Sequence, residues 1–211
     1  MELSISYLSA KKRHQFIKDI NQTSADFLHV DVMDGIFVKN SANSLTEVEA
    51  IKPLTTKPLD IHLMVKDVIP AILKYRTLNP EYLTFHIETV TNPLNIIELI
   101  KSFGIKAGMS IKPQTNINQV IPYLKHLDLI LIMGVEPGAG GQDYLLDTTS
   151  KLSALKEYVI SHNLTTKISV DGGIKPEIIN TWPIKPDIIV VGSYLNNGNL
   201  IDLINTLKKT N

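Results

Sequence analysis

The sequence contains no cysteine, and this absence limits its covalent chemistry and its metal chemistry. Without thiols the 211-residue chain can form no disulfide, and any metal ion must be held by nitrogen and oxygen ligands. An excess of charge of one sign is also lacking, since 21 basic residues balance 21 acidic ones. We therefore expect no basic surface that follows a nucleic-acid backbone, although backbone N–H groups can still bind a small anion.

Long hydrophobic runs are missing as well. No stretch of about 18 or more apolar residues appears, so the sequence predicts no transmembrane helix and no membrane partner. The first residues show no basic start followed by an apolar segment, which argues against a signal peptide. Together these absences predict a cytoplasmic protein.

Strand-like and helix-like segments alternate along the whole chain. The strands are predicted near residues 3–7, 26–32, 58–64, 81–86, 106–111, 127–133, 166–171 and 187–191. The helices are predicted near residues 10–21, 44–52, 67–76, 93–103, 116–125, 147–161, 175–181 and 197–209. Several strands are nearly continuous apolar runs, which is typical of parallel strands covered on both faces. Eight such units predict a single (β/α)8 TIM barrel domain over residues 1–211, and a doubly wound open sheet is the alternative.

Two histidines and two aspartates stand near the ends of three predicted strands. They are His29 and Asp31, which are two residues apart and so share a face, with His62 and Asp171 on other strands. Taken singly, each could be a satisfied core histidine or a helix-capping aspartate. Four at matching strand ends favour a divalent metal site whose carboxylates can also move protons. His86 also ends a strand, and we expect it to have a structural or supporting role there.

Glycines follow three consecutive predicted strands near the chain's C-terminal end. They form the groups Gly138, Gly140 and Gly141 with Gln142, then Gly172 with Gly173, then Gly192 with Ser193. Glycine lets backbone N–H groups approach an anion closely, and loops after the last barrel strands are a frequent phosphate site. We therefore expect phosphate binding here rather than simple turns.

Three methionines end strands beside the proposed metal site. Met33, Met64 and Met133 fit two interpretations equally: filler of the core, or a polarizable floor under a planar, electron-rich intermediate.

Four longer motifs contain these residues: His29-x-Asp31-Val32-Met33-Asp34-Gly35, Asp60-x-His62-Leu63-Met64-Val65, Met133-x-Val135-Glu136-Pro137-Gly138-x-Gly140-Gly141-Gln142 and Val170-Asp171-Gly172-Gly173-Ile174. In combination they resemble the signatures of a known family, the ribulose-phosphate 3-epimerases. The opening segment from Ser4 to Ala10 and the pair Gly192-Ser193 also match, so the resemblance covers nearly the whole chain in order.

The resemblance implies a ribulose-phosphate-binding barrel and a role for each group of residues. The metal ligands would be His29, Asp31, His62 and Asp171, and Asp31 and Asp171 would be the acid and base. Ser6 would contact the substrate near its reacting end, and His62 would also bind the substrate. The glycine groups with Gln142 and Ser193 would bind its phosphate. The ion would be zinc or iron(II), with manganese or cobalt as alternatives, and the protein would be a homo-oligomer, a dimer or a hexamer.

The implied reaction interconverts D-ribulose 5-phosphate and D-xylulose 5-phosphate by inversion at C3. Two carboxylates suit it, because one must remove a proton from one face while the other returns a proton to the opposite face. The alternatives are a 3-epimerase of a hexulose 6-phosphate such as allulose 6-phosphate, a sugar-phosphate-binding barrel without catalysis, and a phosphate-binding barrel of tryptophan or histidine biosynthesis. The last of these would leave the metal-ligand set unexplained.

Four positions depart from the family's usual residues. Ile36, Lys39, Lys112 and Ala139 stand where histidine, proline, asparagine and a bulky aromatic residue are common. None is a predicted ligand, so the substitutions put substrate identity in question rather than reaction type. Lys112 could reach the cleft or point to solvent, and Ala139 removes apolar cover from the glycine-rich loop.

Overall fold

The structure, a computed structural model, describes residues 1–210, which contain nine β-strands. The strands are β1 (Glu2–Ser6), β2 (Phe27–Asp34), β3 (Ser41–Ala42), β4 (Leu59–Met64), β5 (Tyr82–His86), β6 (Lys106–Ile111), β7 (Leu129–Met133), β8 (Lys167–Asp171) and β9 (Ile188–Val191). All except β3 are parallel, and β1 pairs with both β2 and β9. The eight parallel strands therefore close into a barrel, which confirms the predicted TIM barrel and excludes the open sheet.

The short strand β3 was not expected from the sequence. It pairs antiparallel with the last residues of β2, Met33 opposite Ala42 and Asp34 opposite Ser41. The turn between them begins at Gly35, whose φ is +74° and whose N–H bonds to the Asn40 carbonyl. The side chain of Asp34 accepts from two further backbone N–H groups of this turn, which fixes the loop beside the barrel mouth.

Helices surround the barrel on its outer side. Within residues 1–210 the α-helices are α1 (Arg13–Ile20), α2 (Leu45–Ile51), α3 (Val68–Tyr75), α4 (Pro93–Ser102), α5 (Asp147–Ser161), α6 (Pro176–Thr181) and α7 (Leu200–Lys209). Their starts follow the usual sequence signals: Ser44 and Glu47 form a capping box on α2, and the side chains of Asn92 and Asn199 cap α4 and α7.

One predicted helix, residues 116–125, is wrong. This segment forms two 3₁₀ turns instead, Ile117–Gln119 and Ile121–His126. The physical reason is Pro122, because an α-helix here would need its missing N–H to bond to the carbonyl of Asn118. Smaller differences affect two helix starts, since α1 begins at Arg13 and α7 at Leu200.

Alternation of side chains along each strand separates an apolar outer surface from a partly polar interior. In β2, Leu28, Val30 and Val32 belong to the large apolar cluster that includes the helix residues. The interior is closed at one end by four packed side chains from four different strands, Phe27, Tyr82, Leu129 and Ile188. Further along the strands the interior positions carry histidine, aspartate and serine, so the polar groups collect toward the carboxyl ends of the strands.

Across residues 1–210, none of the helices combines the length and the apolarity needed to cross a membrane.

Candidate active site

Four predicted ligands converge inside the barrel at the carboxyl ends of β2, β4 and β8. One ligand atom from each of His29, Asp31, His62 and Asp171 can be chosen so that all four lie within 4.8 Å of one another. The strand register explains the convergence, because Asp31 is the neighbour of His62 across β2 and β4. The side chain of Asp171 enters from β8, which two other strands separate from β2.

Distances within this cluster match those expected around a metal ion. His29 Nε2 lies 3.4 Å from Asp31 Oδ1 and 3.8 Å from Asp171 Oδ2. His62 Nδ1 lies 3.7 Å from each of the same two oxygens. A tetrahedral ion with bonds of about 2.1 Å has ligand atoms about 3.4 Å apart. These four histidine–carboxylate distances, 3.4–3.8 Å, therefore lie close to the tetrahedral spacing, and every pair in the cluster lies within 4.8 Å.

The two histidine nitrogens that face the carboxylates give an independent sign of a metal site. His29 Nε2 and His62 Nδ1 are buried and have no hydrogen-bond partner. A buried polar atom without a partner is costly, and such atoms are rare in folded proteins. A bound divalent ion would satisfy both nitrogens, so these residues fit the metal that the sequence predicts.

His29 is held in place by a second carboxylate. Asp60 Oδ2 lies 2.8 Å from His29 Nδ1 and accepts a 2.6 Å hydrogen bond from the hydroxyl of Ser4. Burial alone would lower the pKa of His29, but the carboxylates of Asp60 and Asp31 outweigh it and raise that pKa well above its usual value. In the metal-free protein His29 therefore carries a proton that a metal ion must displace.

His62 is held by a different kind of partner. Its Nε2 lies 2.9 Å from Nε2 of His86, and the other ring nitrogen of His86, Nδ1, lies 3.1 Å from Glu88 Oε2. Burial lowers the pKa of His86 to about 4, despite the opposing effect of Glu88, so the imidazole is neutral near pH 7. His86 thus has the supporting position that the sequence suggested.

The two carboxylates of the cluster differ in how readily they take up a proton. Burial alone would raise the pKa of Asp31, but His29 and His62 hold that pKa far below its usual value, and Ser6 donates to Asp31 Oδ2 at 2.6 Å. Burial, reinforced by the negative charges of Asp31 and Asp60, raises the pKa of Asp171 to about 6. One carboxylate is therefore held ionised while its neighbour takes up a proton more readily, which is the condition for paired acid and base chemistry.

A cleft opens above the cluster, and nearly all the remaining predicted site residues line it. The methionines Met33, Met64 and Met133 are buried and form part of its wall, together with Ser6, Asp31 and Asp171. The glycine groups lie at the rim, namely Gly138, Gly140, Gly141, Gly172, Gly173 and Gly192, along with Gln142 and Ser193. His29 and His62 lie beneath these residues, fully enclosed.

The turn after β8 shows why glycine is needed at the rim. Gly172 and Gly173 have φ of +105° and +69°, a conformation that other residues rarely adopt. A Cβ on Gly173 would lie 2.5 Å from the backbone nitrogen of Tyr144, and one on Gly172 would lie 2.4 Å from Val135. The paired glycines therefore let two loops pack together while backbone groups face the cleft.

Two rim residues take positions that the sequence did not predict. The Gln142 amide donates to the carbonyls of Glu136 and Ala139, so it braces its own loop. Lys112 places its Nζ 4.0 Å from the centre of the Phe37 ring, and that ring lies 4.8 Å from the ring of His86.

Sequence reasoning gave no role to Ser4, Asp60 or Glu88, although each orders a histidine of the site. Ser4 and Asp60 could have been found from alternation, because each lies two residues before a predicted site residue on the same strand. Glu88 lies beyond the end of β5, in a 3₁₀ turn, where alternation gives no guidance.

Comparisons with known proteins agree with this site. The model of the ribulose-phosphate 3 epimerase family matches residues 2–196. The ribulose-phosphate 3-epimerase of Helicobacter pylori strain J99 is 36% identical over 197 residues, which cover 92% of this chain and 90% of that protein. The ribulose-phosphate 3-epimerase of Methanocaldococcus jannaschii is 37% identical over 179 residues, covering 84% of this chain and 76% of that protein.

Solved structures with little sequence similarity share the fold. KGPDC from Streptococcus mutans has a TM-score of 0.72 at 11% identity, with 99% of this chain and 96% of that chain covered. The 3-hexulose-6-phosphate synthase of Salmonella typhimurium has a TM-score of 0.69 at 15% identity, with 100% and 98% covered. These identities are low enough that they support the barrel alone. The family match and the relatives at 36% and 37% identity confirm the resemblance: this chain belongs to the ribulose-phosphate 3-epimerase family, a family of isomerases.

Proposed function

We propose that this protein interconverts D-ribulose 5-phosphate and D-xylulose 5-phosphate by moving the proton at C3. The observation that carries the proposal is the pair Asp31 and Asp171, two carboxylates of one metal-ligand cluster whose pKa values are shifted in opposite directions. They reach the cleft from strands on different sides of the barrel, so a sugar carbon between them presents one face to each. Binding alone would not need two such groups.

In the proposed reaction Asp31 begins ionised and Asp171 begins in its protonated form, a form that its pKa of about 6 keeps populated near neutral pH. Asp31 removes the C3 proton from one face, and Asp171 donates its proton to the other face. The reverse reaction exchanges these roles. Ser6 donates to the Asp31 oxygen Oδ2, and this hydrogen bond orients the carboxylate so that Oδ1 faces His29 and His62.

The cofactor of the proposed reaction is one divalent ion, held by His29, Asp31, His62 and Asp171. When bound, the ion stabilises the negative charge that builds on the substrate oxygens as the C3 proton leaves. Two imidazoles and two carboxylates suit zinc or iron(II) first and accept manganese or cobalt. Metal analysis of the purified protein, followed by reconstitution of the stripped protein with each ion, identifies it.

Phosphate binding is proposed at the glycine turns of the rim. Backbone N–H groups of the turns at Gly172–Gly173 and Gly192–Ser193 would bind the phosphate, and Gly138, Gly140 and Gly141 would close over it. The methionines Met33, Met64 and Met133 would form an apolar floor beneath the planar intermediate. Holding the phosphate far from C3 fixes the orientation of the reacting carbon.

The choice between a pentulose and a hexulose phosphate is tested by turnover. Ala139 is exposed at the cleft rim, and its small side chain keeps the hexulose alternative open. We expect a kcat/KM for ribulose 5-phosphate at least tenfold above that for allulose 6-phosphate, with product formation followed by NMR. A higher kcat/KM for allulose 6-phosphate would make the hexulose phosphate the substrate in place of the pentulose phosphate. Tight binding of both sugars without turnover would overturn the enzymatic proposal.

We also propose that the protein acts in the cytoplasm as a homo-oligomer, a dimer or a hexamer. Ile69 and Leu73 of α3 expose 51% and 45% of their surface, and an interface between copies would cover such apolar side chains. Light scattering coupled to gel filtration gives the molar mass directly. A mass equal to one chain would contradict this part of the proposal.

A further inference from the structure

His86 and Glu88 form a hydrogen-bonded pair behind His62, outside the four proposed ligands. His62 turns its Nδ1 toward Asp31 and Asp171 and its Nε2 toward His86. His86 is fully buried, and the side chain of Glu88 is 19% exposed. The mechanism proposed above uses neither residue, so their purpose needs a separate explanation.

The direction of each hydrogen bond follows from the donors around Glu88. Its Oε1 accepts from the backbone N–H of Lys112 at 2.8 Å and from the hydroxyl of Thr115. Its Oε2 lies 3.1 Å from His86 Nδ1. An ionised carboxylate can only accept, so the hydrogen between these two atoms belongs to His86 Nδ1.

The position of the hydrogen on His86 then determines the position of the hydrogen on His62. A neutral imidazole that carries its hydrogen on Nδ1 has a bare nitrogen at Nε2. His86 Nε2 is therefore an acceptor, and the 2.9 Å contact with His62 requires His62 Nε2 to be the donor. His62 is left with a lone pair on Nδ1, the buried nitrogen that lacks a partner and faces Asp31 and Asp171.

We propose that His86 and Glu88 are positioning residues that hold His62 in the single tautomer able to bind a metal through Nδ1. The proposal rests on the metal site of the proposed function and assigns its control to residues outside it. Glu88 sets the direction of both hydrogen bonds, because among Glu88, His86 and His62 it is the one group that can only accept. His29 differs, since the carboxylate of Asp60 contacts it directly.

Glu88→Gln tests this control with almost no change of shape. The N–H of Lys112 keeps the amide oxygen on its side, so the amide NH2 faces His86 Nδ1. His86 must then carry its hydrogen on Nε2 and donate to His62 Nε2, which moves the His62 hydrogen to Nδ1. The variant should therefore reverse both tautomers and put a hydrogen where the ion should bind.

Two readouts follow this reversal. Long-range ¹H–¹⁵N spectra of the metal-free protein distinguish protonated from bare ring nitrogens, and a His62→Gln spectrum assigns the His62 signals. We expect a bare Nδ1 in the wild type and a protonated Nδ1 in Glu88→Gln. Competition with a chelator should show zinc affinity about 10- to 100-fold weaker in the variant, the usual effect of losing an outer partner of a ligand histidine.

Glu81→Gln is the matched control. Glu81 immediately precedes β5 and pairs at the surface with Lys106, whereas Glu88 follows the same strand at the mouth of the barrel. The same chemical change there should leave the His62 spectrum and the zinc affinity at wild-type values. His86→Phe is a second variant, which removes the acceptor and should leave His62 in a mixture of tautomers with weakened zinc binding.

The outcomes separate this inference from the proposed function. Wild-type protein that binds no divalent ion would refute the metal-dependent function. Wild-type protein that binds zinc, with Glu88→Gln binding equally well or keeping a bare His62 Nδ1, would overturn the inference alone. Weaker binding with an unchanged tautomer would also overturn it, because Glu88 would then act through packing.

Discussion

Replacing Asp171 with asparagine separates its chemical role from its structural one, because the two side chains have nearly the same shape. Asparagine cannot accept or donate the proton at C3, and Asp31 can serve only one face of that carbon. General acid–base groups usually contribute about 10²- to 10⁴-fold to a rate. We expect kcat to fall at least about 1,000-fold, which corresponds to about 4 kcal/mol in the activation barrier.

The same variant should not lose stability in its metal-free form. Folding raises the pKa of Asp171 from 3.8 to about 6, so the folded state binds this proton more tightly than the unfolded state. That contribution to stability is present below pH 3.8 and is lost as the pH rises through 6. At pH 7 the ionised Asp171 therefore opposes folding by up to about 3 kcal/mol, and asparagine removes this cost.

The assay combines turnover with melting of the metal-free protein at pH 5 and pH 7. We expect a Tm for Asp171→Asn that is equal to or above the wild-type value, with the larger gain at pH 7. Activity within tenfold of wild type would refute the role of Asp171 as an acid or base. A metal-free variant that melts well below wild type at pH 7 would refute the raised pKa on which that role depends.

Three further predictions address the metal, the phosphate and the supporting histidine. Chelation should abolish turnover. The zinc affinity should rise with pH by up to about tenfold per pH unit, because the ion displaces a proton from His29. A zinc affinity that does not change with pH, measured by chelator competition, would contradict a protonated His29 in the metal-free protein. Gly173→Ala should raise KM for the phosphorylated sugar at least tenfold and lower Tm, because the new Cβ meets the Tyr144 backbone; an unchanged KM would place the phosphate elsewhere. Burial alone would raise the pKa of Glu88, but hydrogen bonds lower it from 4.5 to about 2, so ionised Glu88 stabilises the fold above pH 4.5 and loses this contribution in acid. Burial lowers the pKa of His86 from 6.5 to about 4, so proton binding by the unfolded state opposes folding as the pH falls below 6.5. Protonation of Asp171 offsets the effect of His86 between pH 6.5 and 4, so the clearest fall in the Tm of the metal-free protein should come below pH 4.5. Glu88→Gln should flatten this fall, and parallel curves would contradict the prediction.

The barrel and its ligand cluster were predictable from sequence because both depend on short-range patterns. Buried parallel strands read as nearly continuous apolar runs, and alternation puts His29 and Asp31 on one face. A shared carboxyl edge then brings His62 and Asp171 to the same place, as the structure confirms.

What the sequence did not predict depends on contacts between distant segments. Glu88 acts through a backbone N–H and a hydroxyl 24 and 27 residues further along the chain. Lys112 is placed by the ring of Phe37, and β3 exists only because the turn at Gly35 folds back on β2. The error at residues 116–125 has another cause, since the apolar periodicity there outweighed a proline that should have argued against the helix.

The most direct test of the central claim is the fate of the C3 proton in D2O. Ribulose 5-phosphate is incubated with the wild-type protein, and both sugars are followed by NMR from the first turnovers. Transfer between two carboxylates predicts xylulose 5-phosphate that carries deuterium at C3, because the donated proton comes from a group that exchanges with solvent. Xylulose 5-phosphate that retains the original hydrogen, or no conversion at all, would contradict the account.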